Sequence, residues 1–443
     1  MDDRYRILYE RTTPLPETTD EDGFPCEDIH ALTTWAKEEI RLAQRLDQVA
    51  IKAINVSAYG ASLVHLDEQG KPIGPLYNYL KPYSEKLLHS FLTTYDVDHA
   101  LSLQTASPVL GSLNSGLQLY RIKNEQPLFF KEIRYSLHLP QYVSYLFTGK
   151  PLTELTSIGC HTLLWDYGKK QYHRWVVEEN MDSKFPELAA SHHTTTKNGE
   201  TIGVGVHDSS AALIPYLKAT SSPFALLSTG TWCISLNPFN QSALTKDELE
   251  LDCLQYLSYE GKPVKASRLF AGYEHDQMVR KMASHFNVRP DVFTSIEFNV
   301  DLTATLLKKG IAPSRRPNKL GAPHSDFDQR DLSPFKTLEE AYHQLIIDIV
   351  RRQVKSTGLV LNNTPVKRIF VDGGFSDNSV YMNLLAAGFP QFDVYAASVP
   401  QASAVGAALI IHHSWNSRPL LPDEVIELRR CKRPDGIEVH PII

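Results

Sequence analysis

The sequence predicts an α/β fold in two domains, and three observations carry that prediction. The chain has 443 residues, beyond the roughly 250–300 at which a single core stops growing. Short apolar runs such as 51–56, 224–227 and 368–371 alternate with stretches of helical periodicity, the pattern of sheets covered by helices. Several of these runs end in polar, glycine-bearing turns, where α/β sheets gather their ligands. A change of composition across 216–223 puts the boundary there, giving expected domains 1–215 and 216–443.

Taken in order, residues 5–15 alternate well enough to predict a strand pair. The acidic stretch 17–23 lacks the ligand spacing of a calcium loop and reads as a solvated loop. Asp28 is the expected cap of a helix with Ile29, Leu32, Ala36, Ile40 and Ala43 on one face. Residues 51–56 and 63–66 read as strands, the second ending at the turn 67–70, and Tyr59, Gly60 and Ser62 follow the first as candidate pocket residues. The stretch 84–150 is mostly helical in pattern. Residues 152–166 are rich in small and hydroxyl side chains, suited to close packing behind a cleft. His192 and His193 are adjacent and point apart, with no third ligand near in sequence, so they read as loop residues.

In the second half, 312–334 has no periodicity and is expected to be a long surface loop. Thr337 and Glu340 form a capping box that opens a long amphipathic helix, which Gly358 should close. Then come a strand at 368–371, a helix at 378–387, a strand at 392–395 and a small-residue helix at 401–411.

Composition removes several classes of function. The net charge is −6, whereas binding to a nucleic-acid backbone draws on a basic stripe. No run reaches the ~18–20 apolar residues of a membrane span, and Met1-Asp2-Asp3-Arg4 has no signal-peptide character. A cytoplasmic location is therefore expected. Five scattered cysteines without a C-x-x-C pair argue against a disulfide framework or zinc site. A small anionic ligand remains compatible, since backbone amides and a metal ion can hold a nucleotide.

The chemistry is expected within 203–236. Asp208 follows the run 203–206 and precedes Ser209, Ser210, Ala211 and Ala212, which puts a lone carboxylate where a strand becomes a helix. The apolar run 224–227 leads into Ser228-Thr229-Gly230-Thr231-Trp232, a turn with three hydroxyls able to offer N–H and O–H groups to phosphate. Further on, Asp372 leads into Gly373-Gly374-Phe375-Ser376, where two glycines let backbone approach a flat or charged ligand. Taken singly, these read as a helix cap, a hairpin turn and a tight turn.

Their order is what is specific. Gly205-Val206-His207-Asp208, then 228–232, then 371–378 with Ala402-Ser403-Ala404-Val405-Gly406-Ala407-Ala408, together resemble the FGGY carbohydrate kinases. Upstream, 54–74 resembles that family's strand and following turn, and 145–150 its helix ending in Leu-Thr-Gly. The resemblance runs from about residue 8 to 410.

It implies two ribonuclease-H-like domains of the actin and hexokinase type, with sugar and Mg-ATP meeting in the cleft between them. Carried over by position, Asp208 is the expected catalytic base, and Ser228, Thr229, Gly230 and Thr231 the phosphate-facing turn. Gly373, Gly374, Phe375 and Asn378 are expected in the nucleotide site. Tyr59, Gly60, Ser62 and His207 are expected on the sugar side. The Gly230-Thr231-Trp232 and Tyr59-Gly60 strings are most similar to rhamnulokinases and fuculokinases, which implies a 6-deoxyketohexose phosphorylated at O1. Two departures bear on the sugar: Ser62 stands where rhamnulokinases carry Asp, and 79–82 lacks the Trp-x-Asp-x-Arg of many members. The family's opening Asp-x-Gly-Thr hairpin is expected to be missing, as though the chain began one hairpin late. The implied cofactors are ATP and Mg²⁺, with metal ligands unassigned, and the implied partners are a small sugar and at most a second copy of the chain in a homodimer. Two alternatives keep the fold: a silent sugar- or nucleotide-binding relative acting as a sensor, and an actin- or chaperone-like ATPase.

Overall fold

A computed structural model describes residues 1–47, 49–309, 327, 330–420 and 425–441. The first half builds its sheets from short strands. Helix α1 (Ile29–Ala43) is capped by Asp28, whose carboxylate accepts from His30 and Ala31 N–H, and it buries Ile29, Leu32 and Ala36 as its periodicity requires. Strands β1 (Ala53–Ile54) and β2 (Ser57–Ala58) are two residues each, shorter than the run 51–56 suggested. Strand β3 (Leu63–Leu66) is fully buried. Helices α2 (Glu85–Tyr95) and α3 (Ser115–Glu125), strand β4 (Tyr135–His138), antiparallel to β3, and helix α4 (Leu139–Thr148) make up most of 84–150. After the one-turn helix α5 (Leu155–Ile158) come β5 (Glu200–Gly203), parallel to β1, and β6 (Val206–His207), parallel to β2. These pairings bring residues about 150 apart in sequence to one strand edge.

Helix α6 (Asp208–Ala219) leads to the seven-stranded sheet of the second half. Its strands are β7 (Phe224–Thr229), β8 (Cys233–Asn237), β9 (Cys253–Leu257), β10 (Pro263–Leu269), β11 (Arg368–Gly373), β12 (Asp393–Ser398) and β13 (Glu427–Arg430), in the order β9-β10-β8-β7-β11-β12-β13. The central trio β7, β11 and β12 is parallel. Helices α7 (Ala271–Phe286), α8 (Leu338–Leu361) and α9 (Ser379–Gly388) share the larger core with this sheet. Helix α10 (Ala402–Ile410) packs with α6 on the other face. A separate cluster around Trp175, Phe91 and Tyr120 forms the core of the first half.

Three expectations need correction. Residues 5–15 form no strand: Tyr5 takes a left-handed φ of 64°, and Asp2 accepts from the N–H groups of Arg4 and Arg6, which curls the start into a turn. The acidic stretch is exposed except at Asp20 but is more than a loop: 17–19 form a strand antiparallel to 25–27, and in the bend between them Asp20 is buried, accepting from Asp22 and Phe24 N–H and paired with Lys81 at 2.6 Å. Gly358 does not end α8, which runs on to Leu361 because Val360 and Leu361 are buried in the core, and that burial outweighs the ~1 kcal/mol cost of one helical glycine. Position 216, where the boundary is expected, lies within α6. Most of the loop expected at 312–334 lies outside the described residues. His192 and His193 are in no helix or strand, and all five cysteines are free.

Candidate active site

Asp208 is the first residue of α6, delivered there by the parallel pairing of β2 with β6. Its side chain is 44% exposed, and its two oxygens differ in their surroundings. Oδ1 accepts from the Ser209 N–H at 2.5 Å and lies 3.3 Å from His207 Nε2. Oδ2 makes no hydrogen bond to protein among the described residues. Burial holds the His207 imidazole below its ordinary pKa, against the opposing pull of the Asp208 carboxylate. The ring is therefore neutral at pH 7, and the nearby carboxylate favours the tautomer with its proton on Nε2. Gly60 is needed beside it, because a Cβ there would stand 2.9 Å from His207 Cδ2 and 3.0 Å from Cys160 Sγ.

The other sugar-side candidates are occupied by protein contacts. The Tyr59 hydroxyl donates to Glu27 at 2.8 Å. Ser62 is 1% exposed and donates to the Tyr77 carbonyl at 3.0 Å.

The hairpin β7–β8 carries Gly230 and Thr231 exposed at its tip. Thr229 is buried beneath them and joins two turns. Its hydroxyl donates to the Asp372 carbonyl at 2.7 Å and accepts from Phe375 N–H at 3.0 Å, while its carbonyl accepts from Gly374 N–H at 2.9 Å. Gly373 has φ of 89°, and a Cβ on it would lie 2.0 Å from the Thr229 carbonyl oxygen, so only glycine fits where β11 ends. Ser228 pairs with Asp372 across the parallel ladder. The Asp372 carboxylate accepts from the Tyr216 hydroxyl at 2.6 Å, and burial raises its pKa in spite of that bond.

These turns open on a cavity of about 680 Å³ lined by Thr229, Gly230, Thr231, Gly374, Phe375 and Asn378, together with residues of α7 and the 290–297 segment. The cavity does not reach Ser228, Gly373, Tyr59, Gly60, Ser62, His207 or Asp208. Asn378 borders it with its side chain engaged elsewhere: Oδ1 accepts from Tyr381 N–H as the cap of α9, and Nδ2 donates to the Tyr342 hydroxyl at 2.7 Å. His275 Nε2 lies 3.1 Å from the same hydroxyl.

A second cavity, of about 650 Å³, lies between Tyr79–Tyr83 and Leu110–Leu113 on one wall and Trp232, Asp252 and Arg268 on the other. Arg268 is held by Asp252 through Nε and Nη2 at 3.2 and 2.7 Å and lies over the Trp232 ring. Burial pushes the hydroxyl pKa of the nearby Tyr256 up, with Arg268 pulling it down and Cys160 and Asp208 raising it. Sequence reasoning missed His275, Tyr342, Tyr256, Arg268 and His161, which are single residues in regular elements or small-residue loops and carry no local signal. Among the described residues no group of three or more His, Cys, Asp or Glu could hold a metal alone, and no helix is long and apolar enough to cross a membrane.

Comparison with known proteins matches both halves. Residues 1–205 fit the N-terminal domain model of the FGGY family of carbohydrate kinases. Residues 221–419 fit the C-terminal domain model of the carbohydrate kinase FGGY family. The chain is 24% identical over 229 residues to a rhamnulokinase of Halalkalibacterium halodurans, covering 48% of each chain. It is 25% identical over 227 residues to a rhamnulokinase of Yersinia pestis, covering 48% of this chain and 45% of the relative. The match thus spans about half the length of these curated relatives. Among solved structures, a carbohydrate kinase from Novosphingobium aromaticivorans superposes with a TM-score of 0.77 at 20% identity, over 98% of this chain and 93% of that one. Plasmodium falciparum glycerol kinase with ADP superposes with a TM-score of 0.71 at 15% identity, over 98% and 91%.

Proposed function

The chain belongs to the FGGY family of carbohydrate kinases and shares its fold of two actin/hexokinase-type domains, and from that premise we propose that it transfers a phosphoryl group from ATP to a hydroxyl of a ketose. The observation that supports this best is the pair of turns tied together by Thr229 at the mouth of the 680 Å³ cavity. Exposed Thr231 would present its backbone amide and hydroxyl there to phosphate oxygens. The cavity floor of Phe375 and Tyr342 would take the base and ribose.

Asp208 is the proposed base. With Oδ1 held by Ser209, Oδ2 is left to orient the sugar hydroxyl and accept its proton. Mg-ATP, when bound, supplies the phosphoryl group and neutralises its charge. Magnesium held through phosphates and water needs only one or two carboxylates, and Asp208 and Asp372 are the acids at these strand ends. The sugar proposed is a 6-deoxyketohexose such as L-rhamnulose or L-fuculose, supported by the rhamnulokinase relatives and by the Tyr59-Gly60 string.

The test is sugar-dependent ADP release from Mg-ATP with L-rhamnulose, L-fuculose and D-xylulose, for the protein and for Asp208→Asn. Turnover with at least one ketose, lowered at least ~100-fold in the variant, is expected. Equal turnover by the variant removes Asp208 from the role. Sugar binding without turnover by the unaltered protein would instead indicate a silent binder.

A further inference from the structure

We infer that His161, together with His207, reads a pair of neighbouring hydroxyls on the sugar and so helps decide which sugar is accepted; this rests on the sugar-kinase reading above. His161 follows α5 in the stretch whose small residues suggest only packing. Both its ring nitrogens are buried with no hydrogen-bond partner among the described residues, and so is His207 Nδ1. The two rings lie 6.2 Å apart at 73°, and each also packs on Tyr256 of β9, at 6.1 and 5.6 Å. Buried polar atoms are nearly always satisfied, so three unsatisfied nitrogens in one cluster beside a catalytic carboxylate call for a ligand or ordered water.

The chemistry of the missing partner follows from the three ring nitrogens. Burial holds the His161 ring well below its ordinary pKa. A neutral imidazole offers one donor and one acceptor. With its proton on Nε2 toward Asp208, His207 leaves Nδ1 as an acceptor, and His161 adds one donor and one acceptor. The cluster therefore lacks two hydrogens to accept and one lone pair to donate into. Two hydroxyls on adjacent carbons supply that set, because each is donor and acceptor at once.

The loop carrying His161 is built to hold the ring in place. The His161 carbonyl accepts from the fully buried Asn114 Nδ2 at 2.9 Å, the Thr162 hydroxyl donates to the Ile158 carbonyl at 2.7 Å, and the Thr162 carbonyl accepts from Gly116 N–H at 3.0 Å. The loop is also fastened to the second half. Leu257 N–H donates to the Gly159 carbonyl at 2.9 Å, and the Tyr167 hydroxyl lies 2.6 Å from that carbonyl and 2.9 Å from that of Gln255. Such preorganisation is what a specificity-determining side chain requires.

The test uses His161→Leu, His161→Gln and His161→Asn in the full chain, with L-rhamnulose and L-fuculose, which differ in configuration at one carbon, and with D-xylulose. For the Leu variant the sugar KM is expected to rise about 10- to 100-fold and the preference between the epimers to shrink. Its kcat should stay within ~3-fold and its KM for ATP should not change. Gln keeps a donor and an acceptor at similar reach and is expected within ~3-fold of the parent, while the shorter Asn should lose about as much as Leu. If the Leu variant does not fold, the Gln–Asn difference decides. A sugar KM unchanged in Leu or Asn overturns the inference, as does equal loss in all three. If no ketose is turned over, the kinase reading fails separately, and the sugar-induced rise in thermal midpoint, measured in the same variants, becomes the readout. Loss of that rise in Leu but not Gln upholds the inference, and no rise with any of the three sugars in the unaltered protein overturns it.

Discussion

Replacing Thr229 with valine should separate the two turns that frame the 680 Å³ cavity, and the cost follows from the hydrogen bonds. Thr229 is 4% exposed, and its hydroxyl donates to the Asp372 carbonyl at 2.7 Å and accepts from Phe375 N–H at 3.0 Å. Valine fills nearly the same volume, so no cavity term enters. It leaves a carbonyl and an amide without these partners, each costing about 1–3 kcal/mol, for a combined loss of about 2–6 kcal/mol. Thr229→Ser keeps the hydroxyl and loses only a buried methyl, about 1 kcal/mol. Urea unfolding followed by fluorescence, with the midpoint shift multiplied by the slope m, should place valine well below serine. In the folded valine variant the nucleotide KM should rise about 10-fold while the sugar KM holds, because the displaced turns face the first cavity. A valine variant within about 0.5 kcal/mol of the parent, or a serine variant worse than valine, would refute the tie between the turns.

Gly373→Ala should raise the KM for ATP about 10-fold or more and leave the sugar KM near its starting value, since φ of 89° and a Cβ 2.0 Å from the Thr229 carbonyl force that turn to move; nucleotide titrations at saturating sugar check this, and an unchanged KM argues against it. Asp252→Asn should lower stability by about 3 kcal/mol, because the buried Arg268 keeps its charge and loses its carboxylate partner. A loss under ~1 kcal/mol in urea unfolding would mean that solvent in the second cavity already carries that charge.

What could be read from the sequence was what is decided locally. Asp28 caps α1, β3 spans Leu63–Leu66, and the 228–232 turn joins two antiparallel strands, because caps, apolar runs and turn residues act within a few positions of themselves. The misreadings came from partners distant in sequence. Asp20 is buried because Lys81 comes to meet it. Residues 51–56 yield only the two-residue strand Ala53–Ile54, whose partner lies some 150 residues later. His161 gave no signal because a single histidine in a small-residue loop is unremarkable until His207 and Tyr256 close around it.

Motifs identify which residues gather at a site better than they identify which atoms remain free for a ligand. Thr229, Asn378 and Ser62 were all singled out for their polar side chains, yet their side chains bond within the protein: Thr229 to the backbone of the Asp372–Phe375 turn, Asn378 to Tyr381 N–H and the Tyr342 hydroxyl, and Ser62 to the Tyr77 carbonyl. They shape the site. The groups left to meet a substrate are of a different kind: the exposed backbone amide of Thr231, the uncommitted Oδ2 of Asp208, and the three unsatisfied nitrogens of His161 and His207. The nucleotide would accordingly be held through backbone, which tolerates side-chain change. Sugar choice would rest on a few side chains, each worth an order of magnitude or more in discrimination. Relatives with one fold can then differ in the sugar they accept through very few substitutions, and positions 161 and 207 are where this chain should be most sensitive to them.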